Sequence, residues 1–352
     1  MLFTPLMSDL DSTVNHLFDR REAMRPTVRT WAKHIALLLI TFFTVTVAGV
    51  LQPFGIIPII DGTAAEPQTW TEVYNFFLTL PADYANLVYH AIHRIFTDFT
   101  TFKYGISFSF SLLFILLSHE LGHYIACRIY RVDATLPYFL PTPPLIGPAG
   151  TFGAFIKIVS PMPSRKAVFD IGVAGPIAGF IALIPIALIA FFTYQYDTAK
   201  PLTEVSGGTI VFADSLLYKF LAWTFGINLQ TPMQPNPFYF AAWVGLLVTA
   251  LNLIPSGQLD GGHAIYAVFG TKFHRWTGRI AFVVVVILAI SGWFFYNSPS
   301  GFLFAIILFF MMRVRHPEPL DDSPLDFKRK VIAILTLLIF VLSFTPFPIQ
   351  IR

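Results

Sequence analysis

Seven apolar stretches, most of them about 20 residues long, constrain the fold of this chain more than any other feature of its sequence. A stretch of this length crosses the hydrocarbon core of a bilayer as a helix, because only internal hydrogen bonds can satisfy the backbone there. The stretches are residues 34–57, 105–127, 168–194, 237–258, 280–296, 299–312 and 331–349. The sequence therefore predicts an all-α multi-pass membrane protein with about seven transmembrane helices, within a range of six to eight.

Charged residues make up only 12% of the 352 residues, whereas soluble domains contain about 25%. The formal net charge of +3 is poor support for a nucleic-acid binder, and the single cysteine, Cys127, excludes a disulfide scaffold. We therefore expect the partners of this protein to be the lipid bilayer and other membrane proteins, and not nucleic acid.

The distribution of Lys and Arg predicts the orientation of the chain. Segments 1–33, 128–167 and 313–330 are rich in these residues, whereas segments 58–104 and 195–236 contain few of them. Basic segments of membrane proteins stay in the cytosol. The N-terminus is then cytosolic, and the second and fourth apolar stretches both end on the cytosolic side.

Two histidines and a glutamate interrupt the second apolar stretch, in the order His119-Glu120-Leu121-Gly122-His123. Histidines at i and i+4 lie on one face of a helix, where both imidazoles can bind one metal ion. A glutamate between them can accept the proton of a water that attacks a peptide carbonyl. Because ionisable groups at membrane depth are costly, we interpret this motif as the chemical centre of the protein.

A catalytic zinc usually has three protein ligands, so a further ligand is expected from another helix at the same depth. We predict Asp260, because the proline and glycines of residues 255–262 break the fourth helix and let the carboxylate turn inward. His263 could bind the metal instead, although an interfacial histidine in a turn is the commoner state. Asn252 either steadies an oxyanion or the substrate backbone, or it bonds a neighbouring helix.

Asp170 is the remaining carboxylate at the edge of an apolar stretch. It lies at the start of the third stretch, where a carboxylate in the first turn of a helix complements the helix dipole. We therefore predict a structural role for Asp170.

The segment between the second and third stretches is not helical. Residues 137–148 contain five prolines, and residues 151–161 have the apolar pattern of a short β-strand or hairpin. Because this segment follows the histidine motif closely, residues 152–158 could pair with an extended substrate, and Gly153, Ala154 and Phe155 are the predicted contacts. The same segment could equally pack over the site as a plug.

The histidine motif, together with the sequence NLIPSGQLDGG at residues 252–262, resembles the site-2 proteases, a family of intramembrane zinc metalloproteases. The sequence GPIAG at residues 175–179 is similar to the small-residue signature of that family, and residues 150–180 resemble its cyanobacterial and chloroplast branch and bacterial relatives. The resemblance implies one Zn²⁺ per chain. It assigns His119, His123 and Asp260 as ligands, Glu120 as general base and acid, and Asn252 as a contributor to the site.

The resemblance covers about half of the chain and divides it into four parts. These are a cytosolic N-terminal segment (1–33), a first transmembrane helix with an external loop (34–104), the site-2 protease catalytic core (105–270) and additional C-terminal transmembrane helices (271–352). Many bacterial members carry PDZ domains between the ligand helices, but the connecting loops here are too short for one. The predicted location is the inner membrane of a bacterium, with the active-site side facing the cytosol.

The predicted function is hydrolysis of peptide bonds within or near transmembrane segments of other membrane proteins, known as regulated intramembrane proteolysis. One alternative is a transporter or channel that uses the cluster of His, Glu and Asp to bind or relay metal ions or protons. Another is a protease-like protein without activity, against which the intact Glu120 argues.

Overall fold

The structure is a computed structural model that describes residues 26–59, 69–198, 210–313 and 319–351. Its helices are α1 (Val28–Val50), α2 (Trp70–Thr97), α3 (Phe99–Ile129), α4 (Arg165–Phe192), α5 (Leu216–Phe225), α6 (Pro237–Asn252), α7 (Asp260–Phe269), α8 (Thr271–Tyr296), α9 (Ser300–Met311) and α10 (Phe327–Ser343). Its strands are β1 (Tyr138–Pro141), β2 (Thr151–Phe155), β3 (Ile210–Phe212) and β4 (Ile349–Ile351). Most of the predicted cytosolic N-terminal segment, residues 1–25, lies outside the described residues.

Four of the described helices, α1, α3, α4 and α8, are long and apolar enough to cross a membrane. They coincide with the first, second, third and fifth predicted spans, which confirms the prediction of a helical membrane protein. Helices α6, α9 and α10 overlap the fourth, sixth and seventh predicted spans, but they contain only 16, 12 and 17 residues. The predicted count of seven spans is therefore not confirmed.

Helices α3, α4 and α6 pack closely because small residues lie where they meet. A Cβ atom at Gly122 of α3 would overlap the backbone carbonyl of Ala174 on α4. A Cβ atom at Gly245 of α6 would lie 3.0 Å from the Leu183 side chain of α4. Such close approach is how helices associate in a membrane, where apolar burial alone gives no preference for protein over lipid.

Strands β1 and β2 form an antiparallel hairpin, in which Tyr138 lies opposite Phe155 and Phe139 lies opposite Ala154. The predicted strand within residues 151–161 is confirmed. Its partner β1 was not predicted, because it lies inside the proline-rich segment. A short edge strand tolerates a proline such as Pro141, since one edge of its backbone needs no hydrogen bonds to a neighbouring strand.

The hairpin lies along α1. His34 Nδ1 donates a hydrogen bond to the Pro137 carbonyl at 2.8 Å, and Thr44 Oγ1 donates one to the Gly150 carbonyl at 2.8 Å. His34 and Thr44 are separated by about 15 Å along the helix axis. The hairpin therefore runs from the N-terminal end of α1, which the charge distribution assigns to the cytosol, toward the external end.

Helix α2 was not predicted from the sequence. Its residues lie in segment 58–104, which was assigned to the external loop between the first and second predicted spans. It begins with a capping box, in which the Thr69 hydroxyl accepts from the Glu72 N–H and the Glu72 carboxylate accepts from the Thr69 N–H. It ends at Thr97. The next residue, Asp98, caps α3 by accepting hydrogen bonds from the N–H groups of Thr100 and Thr101, each at 3.1 Å. The chain therefore turns sharply between two helices.

Asp170 has a structural role, as predicted, but its partner is different from the one predicted. The carboxylate pairs with the Arg329 guanidinium of α10, whose Nε and Nη2 donate at 2.9 and 2.6 Å, and it also accepts from the Tyr130 hydroxyl. Asp170 is the sixth residue of α4, so it lies beyond the first turn of the helix. The ion pair explains this carboxylate better than the helix dipole does, and it ties α10 to α4.

Candidate active site

The two histidines of the motif face the same side of α3, as their spacing predicts. His119 and His123 are both at most 7% exposed, and their Nε2 atoms lie 3.1 Å apart. They lie in the C-terminal third of α3, after about 30 Å of helix measured from its external end. The helix therefore places both imidazoles inside the protein, toward the predicted cytosolic side.

Asp260 joins the two histidines from a separate helix. Its Oδ2 lies 3.2 Å from His119 Nε2 and 3.4 Å from His123 Nε2. Helix α6 ends at Asn252, and the chain turns through residues 253–259 before α7 begins at Asp260. A Cβ atom at Gly261 would overlap the Leu253 carbonyl, so the turn is tight enough only for glycine there. The predicted break in the helix is confirmed, and it brings the carboxylate to the histidines.

Helix α4 fixes the orientation of the His123 ring. His123 Nδ1 donates a hydrogen bond to the backbone carbonyl of Ile171 at 2.7 Å, so the Nε2 atom is the one left to bind a metal ion. Gly175 and Gly179 of α4 face the histidines. A Cβ atom at Gly175 would overlap the His123 ring, and one at Gly179 would lie 3.1 Å from His119 Cβ. The small-residue signature therefore makes room for the two imidazoles.

Glu120 lies beside the three predicted ligands, on the wall of the same cavity. Its side chain is buried, at 6% exposure, and its carboxylate faces the backbone N–H of Ile156. A buried carboxylate next to a metal site has the chemistry of a general base, because it can exchange a proton with a water or an amine held there. The structure thus brings His119, Glu120, His123 and Asp260 together, as predicted.

Asn252, at the C-terminal end of α6, also reaches the site. Its Nδ2 lies 3.3 Å from His119 Nε2, so its amide can donate toward a group held beside that histidine. His263 lines the same cavity, but the group whose atoms could share one metal ion is formed by His119, His123 and Asp260. The assignment of His263 to the surroundings of the site stays a prediction.

A cavity of about 760 Å³ opens beside the predicted ligands. Ala154 and Phe155 line it together with residues 156–162, which follow β2, whereas Gly153 does not line it. The Thr151 side chain holds Gly153 instead, accepting from its N–H at 3.0 Å. Of the three residues predicted to meet a substrate, the structure places two at the cavity.

The extended chain after β2 presents one backbone edge to the cavity. Lys157 O accepts from the N–H of Thr135, and the Val159 N–H donates to Asp133 O, so these groups point to residues 133–135. Backbone groups of successive residues in an extended chain point alternately to its two edges, so those of Ile156 and Ile158 point to the cavity. The sequence placed both residues in the strand-like segment 152–158, but the residues it singled out for substrate contact were 153–155, because the alternation within the segment was not used to choose them.

The donor atoms fit a zinc ion. Two imidazole nitrogens and one carboxylate oxygen, all within 4.8 Å of one another, form a set that zinc prefers, and three protein ligands leave a fourth position for water or substrate. The hydrogen bond from His123 to the Ile171 carbonyl is the outer support that such ligands usually have.

Several known proteins are similar to this chain. The probable zinc metalloprotease EGY1, chloroplastic, of Arabidopsis thaliana is 30% identical over 245 residues, which are 68% of this chain and 42% of that protein. The probable zinc metalloprotease EGY2, chloroplastic, of Oryza sativa subsp. indica is 31% identical over 55% of this chain and 34% of its own length. The corresponding EGY2 of Arabidopsis thaliana is 27% identical over 72% of this chain and 44% of its own length. The chain thus spans less than half the length of these curated relatives.

The family comparison agrees with the geometry. Residues 107–292, just over half of the chain, match Peptidase family M50, and this match includes all of α3, α4, α6 and α7 except the first turns of α3. The predicted resemblance to site-2 proteases is confirmed. With its histidine motif on one helix, its aspartate on another and both inside the matched region, the chain belongs to Peptidase family M50.

Proposed function

We propose that this protein is a zinc-dependent intramembrane endopeptidase that hydrolyses peptide bonds within or near transmembrane segments of other membrane proteins. The observation that carries the proposal is the position of Glu120. This carboxylate is buried in an otherwise uncharged part of a membrane-crossing helix, between two histidines that share a metal-binding group with Asp260. A merely structural glutamate at that depth would be costly, whereas a general base needs such a place.

His119, His123 and Asp260 would hold one Zn²⁺ per chain. When bound, zinc supplies Lewis acidity toward the peptide carbonyl and toward water. The protein contributes the rigid arrangement, because the Ile171 carbonyl of α4 fixes the His123 ring and this ring packs directly against Gly175. The names of the curated relatives, which are zinc metalloproteases, support zinc as the metal.

Glu120 would move the proton in the reaction. Its carboxylate takes a proton from the attacking water and later delivers it to the nitrogen of the leaving amine, so that the two new ends separate. Asn252, whose amide lies beside His119, would donate a hydrogen bond to the substrate carbonyl oxygen as negative charge develops there.

The edge formed by Ile156 and Ile158 would hold the substrate. A helical substrate hides its carbonyls in its own hydrogen bonds, so it must be extended before attack. An extended segment can then add as a strand to this open edge, next to the predicted Ala154 and Phe155. Because the Ile156 N–H lies near Glu120, a substrate bound along this edge would have its scissile bond close to the general base.

Membership of a peptidase family supports proteolysis over the alternative of a transporter or channel. The comparisons are to chloroplast proteins and give no support to a bacterial inner membrane, which stays a prediction. The substrate of the whole protein is proposed by its chemistry only, as the transmembrane segment of another protein.

The proposal is tested with the full chain in lipid nanodiscs, by measuring bound metal by mass spectrometry and cleavage of a model transmembrane peptide. We expect about one zinc per chain and zinc-dependent cleavage. In the Glu120→Gln variant, we expect bound zinc to be retained and kcat/KM to fall by about 10²- to 10⁴-fold, the contribution of a general base.

Glu72→Gln is the matched control, because Glu72 is an exposed glutamate of α2 in the described structure and Gln preserves a capping box. This variant should cleave like the wild type. Wild-type turnover by Glu120→Gln would contradict the assigned role of Glu120. A protein that cleaves no peptide but carries metal ions across a liposome membrane in a His119-dependent way would support the transporter instead.

A further inference from the structure

Helix α2 has two distinct faces. At about 100° per residue, most of its large apolar side chains fall on one side and its polar side chains on the other, with Phe76 beside the polar face. The apolar face of its N-terminal part is formed by Trp70, Tyr74, Phe77, Leu78 and Leu80. The polar face is formed by Glu72, Asn75, Thr79, Asp83, Asn86 and His90. The helix is thus amphipathic over its whole length.

Only the C-terminal part of the apolar face is covered by protein. There Ala91 and Ile95 are buried in a cluster with residues at the C-terminal end of α1. In the N-terminal part, Trp70 is 89% exposed and Phe77 is 64% exposed. The covered and the uncovered side chains lie on the same side of the helix, so one continuous apolar face is only half covered in the structure.

The contacts of α2 lie at the external end of α1. Ala91 and Ile95 pack with Val47 and Val50, in the last turn of α1. One end of the covered part is Tyr84, whose hydroxyl donates to the Pro144 carbonyl at 3.0 Å in the turn of the β1–β2 hairpin.

The two ends of that turn lie beside the last turn of α1. These ends are joined by the hydrogen bond from the Thr142 N–H to the Gly150 carbonyl, and a Cβ atom at Gly150 would lie 3.0 Å from Ala48 Cβ in α1. Residues 84–95 of α2 cover about 16 Å of helix. The described contacts of this part of α2 are made with the external end of α1 and with the hairpin turn, so α2 lies at the external side of that span.

The composition of α2 distinguishes it from a membrane span. With 28 residues α2 is long enough to cross a bilayer, but it is not among the described helices that are apolar enough to do so. An amphipathic helix with Trp, Tyr and Phe on one face is typical of a helix that lies in the membrane interface. Its charged residues are Glu72, Asp83 and Arg94, so no basic cluster attracts it to anionic lipids.

We propose that α2 is an interfacial helix whose N-terminal apolar face rests in the headgroup region of the external leaflet. The occupant of the uncovered face is then the lipid bilayer, bound through aromatic and aliphatic burial and not through charge. Through Tyr84, this helix also holds the turn of the hairpin whose following residues line the cavity. The proposal concerns lipid contact only and does not depend on the proposed peptidase activity.

The test compares two neighbouring positions on opposite faces. Phe77→Cys and Thr79→Cys are made in the full chain with Cys127→Ala, since Cys127 is the single native cysteine. Both positions are exposed in the described structure, so neither variant should disturb folding. Each cysteine receives a nitroxide spin label, and the chain is placed in phosphatidylcholine nanodiscs, which leave both membrane faces open to water. Power saturation then measures how accessible each label is to oxygen and to a water-soluble nickel chelate.

We expect the Phe77 label to be several-fold less accessible to the chelate than the Thr79 label, and more accessible to oxygen. The same contrast is expected between Tyr74→Cys on the apolar face and Asn75→Cys on the polar face. This second pair checks that the result does not depend on the local behaviour of a single spin label. Addition of phosphatidylglycerol should leave the contrast unchanged, because the contact is apolar.

Four outcomes would overturn the proposal. Chelate access at both positions would mean that α2 stands away from the bilayer. Chelate protection at both positions would mean that α2 crosses the membrane. Spin–spin broadening at Phe77, lost on dilution with unlabelled chain, would mean that a second copy covers the face. Protection that appears only with phosphatidylglycerol would replace apolar burial with an electrostatic contact.

Discussion

The ligand-bearing helices and the C-terminal helices are both apolar, but they bury their surfaces to different degrees. In the most apolar part of α3 and α4, 56% and 50% of the residues are buried within the protein, compared with 17% in α8. Helices α3 and α4 also meet at glycines that leave no room for a Cβ atom. Close packing is needed where imidazole rings must be held, whereas α8 presents most of its apolar surface outward, as a lipid-facing helix does.

The two regions also differ in what their polar side chains do. In the core, His119, Glu120 and His123 are buried and converge with Asp260 on one cavity. In the C-terminal region, Arg329 of α10 donates hydrogen bonds to a carboxylate of α4 and to Tyr130, the residue that follows α3. We infer that the polar groups of the core take part in metal binding and catalysis, whereas the ion pair of α10 attaches this helix to α4. The following substitutions test that distinction.

The largest contrast is expected between two carboxylates, Asp260 and Asp170. Asp260→Asn removes a charged ligand, so bound zinc should fall from about one per chain to near zero and cleavage should be lost. Loss of an outer partner of a ligand alone typically costs 10- to 100-fold in metal affinity, so loss of a ligand should exceed that. Asp170→Asn should leave the zinc content of the protein unchanged.

Metal content by mass spectrometry, with zinc titration monitored in nanodiscs, checks both variants. If Asp170→Asn lost zinc as fully as Asp260→Asn, the assignment of Asp260 as a metal ligand and of Asp170 as a purely structural carboxylate would be wrong.

A second contrast compares one added methyl group in each region. Gly175→Ala places a Cβ where the His123 ring lies, and Gly301→Ala places one 2.6 Å from Ala289 Cα, between α8 and α9. The first variant must displace the ring that donates to the Ile171 carbonyl, so we expect zinc affinity to fall about 10- to 100-fold. The second should lower the free energy of unfolding and leave zinc affinity within about twofold, because it touches no group of the site.

Zinc titration and unfolding in mixed micelles, measured on both variants, separate the two effects. Equal loss of zinc affinity in the two variants would show that the packing of the C-terminal helices sets the site, contrary to the comparison.

The chemistry of the site could be predicted because it depends on local spacing and on depth. The interval between His119 and His123 is set by one helical turn, and Asp260 follows a helix that ends on the same side of the membrane. Gly175 and Gly179 belong to the small-residue signature that the sequence shows, and in the structure His123 and His119 occupy the space beside them.

Other features could not be predicted because they depend on partners that are distant in sequence. Asp170 pairs with Arg329, which lies 159 residues later in the sequence, and no local sequence pattern predicts such a pair. Strand β1 contains a proline and was hidden by it. Helix α2 was taken for loop because its apolar residues are spread over one face and never form an uncharged run of the length of a span.

The smallest effect is expected for the tie between α10 and α4. Arg329→Gln removes the charged hydrogen bonds to Asp170 and to the Tyr130 hydroxyl. The Arg329 and Asp170 side chains are 22% and 25% exposed, so solvent screens part of the interaction, and we expect the free energy of unfolding to fall by about 1–2 kcal/mol. Zinc content and kcat/KM should stay within about twofold of wild type, because the pair touches none of the ligands.

Lys330→Gln is the matched control, since it removes a neighbouring, exposed positive charge of α10 and should change neither quantity. A double-mutant cycle with Asp170→Asn isolates the pair, because both single variants lose the same interaction and their effects should not add. A fall of more than about tenfold in kcat/KM for Arg329→Gln, at unchanged stability, would contradict the purely structural role of this ion pair. Helix α10 would then position α4, and through the Ile171 carbonyl the His123 ring, so that the C-terminal region would belong to the catalytic machinery.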